Sequence, residues 1–186
     1  MFITLIRHAQ IQTNSQGRYI GHSNITLSNF GLKDAGQLAD YLKKYHQHKD
    51  FDAIYCSDLT RCRQTLKAIS DKLNLTIAPF FTKALREKSW GKHEGLNYDE
   101  ICQLENTTYQ NFDQWINILD GETKEQFIQR INQFNKKLLQ SGHQNILIVT
   151  HSGVIRTLIY LSSHLTFEQS FYMQIPYASF VVINEI

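Results

Sequence analysis

Short apolar runs and stripes of apolar residues at helical spacing alternate along this chain. The runs at 2–6, 53–56 and 145–150 are nearly continuous in apolar residues, which is typical of strands buried on both faces. Helical spacing predicts four helices, over residues 32–45, 59–73, 123–138 and 152–163. Thr123 and Gln126 form a capping-box pattern at the start of the third helix. Further extended pieces are predicted at 75–81, 171–175 and 179–184.

This alternation predicts an α/β fold, because strands joined by helical crossovers form parallel sheets covered on both faces. We expect one three-layer domain over residues 1–186, with a mostly parallel central sheet and helices on both faces. Residues 96–120 differ, since they are polar, rich in Asn and Gln, and interspersed with aromatic residues. We interpret them as a helical insertion over the edge of the sheet, and a role as a lid is left open.

Composition and charge exclude several classes of protein. Hydrophobic residues make up 42% and aromatic residues 12% of the chain, which argues against disorder. The formal net charge is only +2, and no basic run exceeds a pair, so no nucleic-acid partner is expected. Three cysteines without CxxC spacing predict neither a disulfide framework nor a cysteine zinc site. His46 and His48 form an HxH pair, which we interpret as solvated surface rather than as a metal site.

The hydropathy pattern also bears on location. No segment approaches the ~20 apolar residues that a membrane span needs, and the apolar run at 2–6 is far too short for a signal peptide. We therefore expect a cytoplasmic protein with no membrane partner. The sequence leaves a monomer and a homodimer equally open.

Charged and titratable residues follow the predicted strands. Arg7 and His8 follow the first strand, Arg61 lies one helical turn after the second, and His151 follows the strand at 145–150. Ligands of open α/β sheets bind beyond the carboxyl ends of the strands. Two arginines and two histidines at one edge therefore predict a site for an oxyanion, and phosphate is the simplest candidate.

The same cluster predicts a reaction. Surrounding cations disfavour a further positive charge, so His8 is expected to stay neutral and to keep a nucleophilic lone pair. Attack on a phosphoryl group would give a phosphohistidine that water later hydrolyses. Glu87 is the best-placed carboxyl group to protonate the leaving oxygen and then to activate the water. The competing interpretation is a solvated Glu87 that pairs with Arg86 or Lys88.

Four segments resemble the signature segments of the histidine phosphatase superfamily, which contains cofactor-dependent phosphoglycerate mutases and many phosphatases. They occur in the family's order within residues 2–160 and read LIRHA at 5–9, SDLTRCRQT at 57–65, LREKSWG at 85–91 and VTHSG at 149–153. The resemblance implies a phosphoglycerate mutase-like fold and a small phosphorylated metabolite as substrate. It implies no metal and no organic cofactor.

The resemblance also implies roles for individual residues. His8 would be the phosphorylated nucleophile and Glu87 the proton donor. The phosphoryl group would be held by Arg7, Arg61, His151 and Asn14. The segment at 17–22 is similar to the loop of α-ribazole phosphatases, which remove the 5′-phosphate from a cobalamin lower-ligand nucleotide. Gly21 in this loop is a candidate substrate-binding residue.

Ser152 is a further candidate substrate contact, because the N-terminus of the helix that follows it favours an anion. The alternative is that Ser152 only caps this helix.

Two further hypotheses compete with a phosphatase. A phosphoglycerate mutase must hold a second acidic group, and the absence of Lys and Arg from residues 96–120 argues against it. A weakly active or non-catalytic binder of phosphorylated ligands is motivated by Ala9, Gln10 and Ile11. These residues stand where the family commonly has Gly, then Glu, then Thr or Ser.

Overall fold

The computed structural model describes residues 1–12, 17–45 and 51–184. Asn14, His46 and His48 lie outside these ranges, so the predictions for them stay predictions. The described strands are β1 (Phe2–Arg7), β2 (Ala53–Ser57), β3 (Phe80–Thr82), β4 (Asn145–Thr150) and β5 (Phe180–Asn184). The described α-helices are α1 (Asn29–Tyr45), α2 (Thr60–Leu73), α3 (Tyr98–Leu104), α4 (Phe112–Ile118), α5 (Lys124–Leu139), α6 (Ser152–Ser162) and α7 (Phe167–Phe171).

The strands form one sheet in the order β3-β2-β4-β1-β5. β1 to β4 run parallel, and β5 pairs antiparallel with β1. The register aligns Arg7 with Thr150, and Cys56 with Val149, so the carboxyl ends of β1, β2 and β4 lie level at one edge. The mostly parallel α/β architecture is confirmed, and it brings the three strand ends together.

Alternate residues of the central strands enter two different cores. Ile3, Leu5 and Ile148 face the layer of α5, α6 and α7, and all are fully buried. Ile6 and Val149 face the layer of α1 and α2. Strand residues alternate between the two faces of the sheet. A run that is apolar at nearly every position therefore packs against the helices of both layers.

Local hydrogen bonds fix where several helices begin and end. The predicted capping box at Thr123 and Gln126 is present at the start of α5. A second capping box, Asn97 with Glu100, starts α3 within the segment 96–120. α2 ends at Leu73, and its C-cap residue Asn74 adopts a left-handed conformation that Asn tolerates well. α4 packs on α7 through Phe112, whose ring centroid lies 5.6 Å from that of Phe171.

Two predicted extended segments are corrected. The segment 171–175 is not a strand, because the chain before it forms α7, which starts with a capping box of Thr166 and Gln169. The ring centroids of Phe167 and Phe171 lie 4.6 Å apart on one face of that helix, with the rings tilted by 42°. Helical spacing therefore prevails over local β-propensity here. In the segment 75–81, strand structure is confined to β3, which has only three residues.

In the described part of the chain, no helix combines the length and the apolar content that a bilayer crossing requires.

Shortening a buried side chain of the central strand β4 should lower the free energy of unfolding strongly. Ile148→Ala removes a fully buried side chain of β4, and we expect the free energy of unfolding to fall by about 2–5 kcal/mol. Ile118→Ala, at a position 38% exposed on α4, is the matched control and should cost less than about 1 kcal/mol. Urea titrations followed by circular dichroism measure both values. Equal losses would show that β4 is not the centre of the core.

Candidate active site

His8 lies directly after β1, and its imidazole is nearly buried, with 5% of the residue exposed. Its Nδ1 lies 2.8 Å from the carbonyl oxygen of Ala9, which only accepts, so Nδ1 carries the proton and Nε2 keeps its lone pair. Burial, and then the nearby charges of Arg61 and Arg7, hold the pKa of His8 well below its usual range. The predicted neutral imidazole is therefore consistent with its surroundings.

Arg61 lies in the first turn of α2 and is fully buried. Its Nε donates to Nδ1 of His151 (3.2 Å), and its Nη1 and Nη2 donate to the carbonyl oxygens of Ser23 (2.7 Å) and Gly21 (2.6 Å). A guanidinium has five N–H bonds, so one N–H on each terminal nitrogen remains for a ligand. Burial lowers the pKa of Arg61, but not enough to discharge a guanidinium.

Arg7 ends β1 and is held from the opposite side by the chain before β5. Its Nη1 donates to the carbonyl oxygen of Ile175, and its Cζ lies 3.8 Å from the centroid of the Tyr177 ring. The buried Nε of Arg7 makes no hydrogen bond. Burial lowers the pKa of Arg7 and the nearby Tyr177 and Glu87 oppose that effect. Arg7 thus enters the site with one donor that the protein itself does not satisfy.

His151 packs behind His8, with ring centroids 5.1 Å apart. Its Nδ1 accepts from Arg61, so Nε2 carries the proton and donates to Oγ of Ser57 at 2.9 Å. Burial, followed by Arg61 and His8, places the pKa of His151 well below its usual range. Both ring nitrogens are thus bound within the protein, and in this arrangement His151 braces Arg61. Its predicted contact with the phosphoryl group remains a prediction.

Glu87 reaches the same site from the loop after β3. Its Oε1 accepts from the backbone N–H of Lys88 and its Oε2 from that of Gly153, each at 3.0 Å. Gly153 lies in the first turn of α6, where N–H groups favour a carboxylate. A Cβ at this position would lie 2.2 Å from Oε1, so the close approach requires glycine. The carboxyl group is fixed beside the cluster of His8 and the two arginines.

The alternative interpretation of Glu87 as a solvated loop carboxylate is wrong, since the residue is only 8% exposed. Arg86 turns away from it and forms a bidentate pair with Asp58, with both distances 2.7 Å. Arg130 supports the loop from below by donating to the carbonyl oxygens of Ala84, Arg86 and Glu87.

Two adjoining cavities open onto this cluster. The smaller, about 130 Å³, is lined by the predicted functional residues Arg7, His8, Arg61, Glu87 and Ser152. The larger, about 490 Å³, shares Tyr19, Glu87, Trp90 and Ser152 with it. Its remaining wall is largely aromatic and includes Tyr98, Tyr109, Phe112, Trp115, Phe171 and Tyr172. A phosphoryl group fits the charged cavity, and a flat leaving group fits the aromatic one.

The other predicted contacts are placed differently from one another. Ser152 lines both cavities as the first residue of α6. The N-cap position is occupied by His151, so the interpretation that Ser152 only caps the helix is wrong. Gly21 is buried, and its carbonyl oxygen binds Arg61. Within the ranges described, no three His, Cys, Asp or Glu side chains cluster as metal ligands would.

Sequence patterns missed two participants. Tyr177 lies in the turn before β5, lines the smaller cavity, and has its ring centroid 5.5 Å from that of His8. Ser57 was placed at the end of β2 without a role, and it holds His151. Neither residue carries a motif, since each acts through contacts that span more than ninety residues of sequence. The Pro176-Tyr177 pair is the only local hint of a turn there.

Known proteins are similar to this chain in sequence and fold. A profile of the histidine phosphatase superfamily (branch 1) matches residues 3–185. An adenosylcobalamin/alpha-ribazole phosphatase of Escherichia coli is 32% identical over 168 residues, covering 86% of this chain and 77% of that protein. A broad-specificity phosphatase of Saccharomyces cerevisiae is 28% identical over 164 residues, covering 83% and 67%. The crystal structure of the alpha-ribazole phosphatase from Shigella flexneri matches with a TM-score of 0.83 at 27% identity, covering 99% and 90%.

The buried neutral histidines should make stability depend on pH. Their pKa values are lower in the folded chain than in the unfolded one, so below about pH 6.5 only the unfolded chain takes up these protons. The free energy of unfolding should therefore fall as the pH drops, by up to about 1.4 kcal/mol per pH unit for each histidine. Urea titrations between pH 7.5 and 5.5 measure the slope. His8→Asn should make it shallower, and an unchanged slope would contradict the assignment.

Proposed function

The chain belongs to the histidine phosphatase superfamily (branch 1), and we propose that it is a metal-independent phosphomonoesterase acting through a phosphohistidine at His8. One observation carries this proposal. Among the described residues, His8, whose Nε2 is unprotonated, is the one histidine that lines the smaller cavity together with Arg7, Arg61 and Glu87. The three free cysteines suit a reducing compartment, so the proposal places the enzyme in the cytoplasm.

The reaction begins with attack by Nε2 of His8 on the phosphorus atom of a monoester. The P–N bond forms while the ester P–O bond breaks, and Glu87 gives its proton to the leaving oxygen. The free N–H bonds of Arg7 and Arg61 stabilise the charge on the transferring phosphoryl oxygens. Because the guanidinium groups supply this charge, the mechanism invokes no metal ion. Water then attacks the phosphohistidine, with Glu87 as the base, and releases phosphate.

Ala9 and Ile11 do not oppose this mechanism. Ala9 is not among the described residues with a positive φ, so its backbone does not require the glycine that the family commonly has here. Ala9 and Ile11 are buried in one small cluster with Leu27 and Ala35. The backbone N–H of Ala9 donates to Oγ1 of Thr65 on α2, which fixes the segment after His8. The changes at these positions serve local packing beside an intact cluster of functional residues.

Replacement of the nucleophile tests the proposed activity. His8→Ala should lower kcat with p-nitrophenyl phosphate by roughly 10³-fold or more, and it should abolish an acid-labile phosphoenzyme. Arg63→Gln is the matched control, because Arg63 is exposed on α2 and its Nε donates only to the carbonyl oxygen of Asp58. It should retain full activity. Full turnover by the His8 variant, or loss of activity on removal of divalent metals, would refute the proposal.

For the substrate, we propose α-ribazole 5′-phosphate or a related phosphomonoester whose leaving group carries a fused aromatic ring. The similarity to alpha-ribazole phosphatases, such as those of Escherichia coli and Shigella flexneri, supports this choice. The aromatic wall of the larger cavity supports it independently. A phosphoglycerate mutase must hold a second acidic group, and residues 96–120, which contribute Tyr98, Tyr109 and Trp115 to the wall of this cavity, contain no Lys or Arg. We therefore expect no response to 2,3-bisphosphoglycerate in a mutase assay.

An exposed aromatic residue at the rim of the larger cavity tests the substrate class. Tyr172→Ala removes a ring that is 66% exposed, so the fold should be unaffected. Loss of an aromatic contact costs about 0.5–1.5 kcal/mol, so KM for α-ribazole 5′-phosphate should rise roughly 2- to 13-fold. KM for glycerol phosphate should not change. Tyr41→Ala, equally exposed at 67% on α1, is the control. Equal effects on both substrates would argue against aromatic recognition.

A further inference from the structure

A second carboxylate, Glu94, lies behind the cluster of functional residues and outside both cavities. It follows the short 3₁₀ helix Gly91–His93 and is half-buried. Its Oε1 accepts from the backbone N–H of His22 at 2.7 Å, and its Oε2 accepts from that of Gly21 at 3.0 Å. Ser23 donates to Oε2 through both its backbone N–H and its hydroxyl group. One carboxylate thus holds three successive residues of a loop.

The opposite side of the same loop holds Arg61. The carbonyl oxygens of Gly21 and Ser23 accept from the two terminal nitrogens of the guanidinium. A single peptide group, between Gly21 and His22, therefore donates its N–H to Glu94 and accepts from Arg61 through its C=O. The backbone of residues 21–23 therefore lies directly between the carboxylate of Glu94 and the buried guanidinium of Arg61.

This arrangement addresses an electrostatic cost. Arg61 is fully buried, and its three described hydrogen-bond partners are two carbonyl oxygens and the neutral ring of His151. A buried charge bound only to neutral groups is unfavourable unless an opposite charge is near. Glu87 in the smaller cavity and Glu94 across one peptide group both supply that charge. The N–H bond that His22 donates to Glu94 also polarises the carbonyl group of Gly21, which Arg61 binds.

The loop also packs closely against Glu94 and the backbone near Lys88. A Cβ at Gly21 would lie 2.1 Å from the carbonyl oxygen of Lys88 and 2.5 Å from Oε1 of Glu94. On the next residue, Nε2 of His22 lies 3.1 Å from the carbonyl oxygen of Glu87. The same three residues thus contact Arg61 on one wall of the smaller cavity and the backbone of Glu87 on another.

We propose that Glu94 is a positioning residue, which fixes the direction of Arg61 through the Gly21–His22 peptide group, offsets part of its buried charge, and thereby sets the affinity for the phosphoryl group. Glu94 touches no substrate. The inference rests on the proposed function, because it assigns Arg61 to phosphoryl binding.

The test is a double-mutant cycle on the affinity for inorganic vanadate, measured by calorimetry on the full chain. Glu94→Gln should weaken vanadate binding roughly 10-fold and lower kcat with p-nitrophenyl phosphate, because the amide is uncharged and its NH₂ group opposes the loop N–H bonds. In the background of Arg61→Gln, the same change should have almost no effect on vanadate affinity. Glu105→Gln is the matched control, since Glu105 pairs with Lys92 and His93 and should leave affinity and kcat unchanged.

Each outcome has a defined meaning. Unchanged vanadate affinity in Glu94→Gln, or an equal loss in both backgrounds, would overturn the proposal, because Glu94 would then not act through Arg61. If Glu94→Gln fails to fold, Ser23→Ala removes one hydroxyl contact to Glu94 and should weaken binding by a smaller factor in the same cycle. An unchanged affinity in Ser23→Ala would then overturn it. Failure of the proposed function is distinguishable, since a wild-type protein without turnover can still bind vanadate and complete the cycle.

Discussion

Two guanidinium groups kept in the interior beside two neutral imidazoles are the constraint on which this structure depends. The described hydrogen-bond partners of Arg7 and Arg61 are backbone carbonyl oxygens and one imidazole nitrogen, and the ring of Tyr177 covers Arg7. Each contact uses one N–H bond of a guanidinium group, and the two groups line the smaller cavity with N–H bonds that remain. The positive charge that remains uncompensated there is what a phosphoryl dianion neutralises.

The sequence predicted what parallel strands bring together. Arg7, His8 and His151 follow strands whose apolar runs are unmistakable, and their convergence follows from topology alone. Glu87 and Arg61 were also identified, because each stands at a fixed distance from a strand or helix start. The segment 171–175 was mistaken for a strand, and α7, which ends at its first residue, was not predicted, since five residues are too few for periodicity to outweigh aromatic β-propensity.

The supporting contacts could not be predicted in this way. Ser57 and Tyr177 carry no spacing signal, and each acts through a partner far away in the chain. Glu94 binds a loop more than seventy residues earlier, through backbone N–H groups that any sequence would offer. Patterns of residue types reveal side chains that carry chemistry, but the groups that orient them are selected by tertiary geometry. The larger cavity likewise appears only once α3, α4 and α7 are packed together.

The antiparallel strand β5 gives the pocket an unusual dependence on distant parts of the chain. Arg7 donates to Ile175 across 168 residues, and the turn that carries Tyr177 is anchored by a hydrogen bond from Ala178 to the carbonyl oxygen of His8. During synthesis on a ribosome, the imidazole at position 8 emerges well before the segment at 175–178 that closes its wall. A nascent chain that has exposed only the earlier segment therefore carries an incomplete pocket, and the wall forms only once the later segment has folded against it.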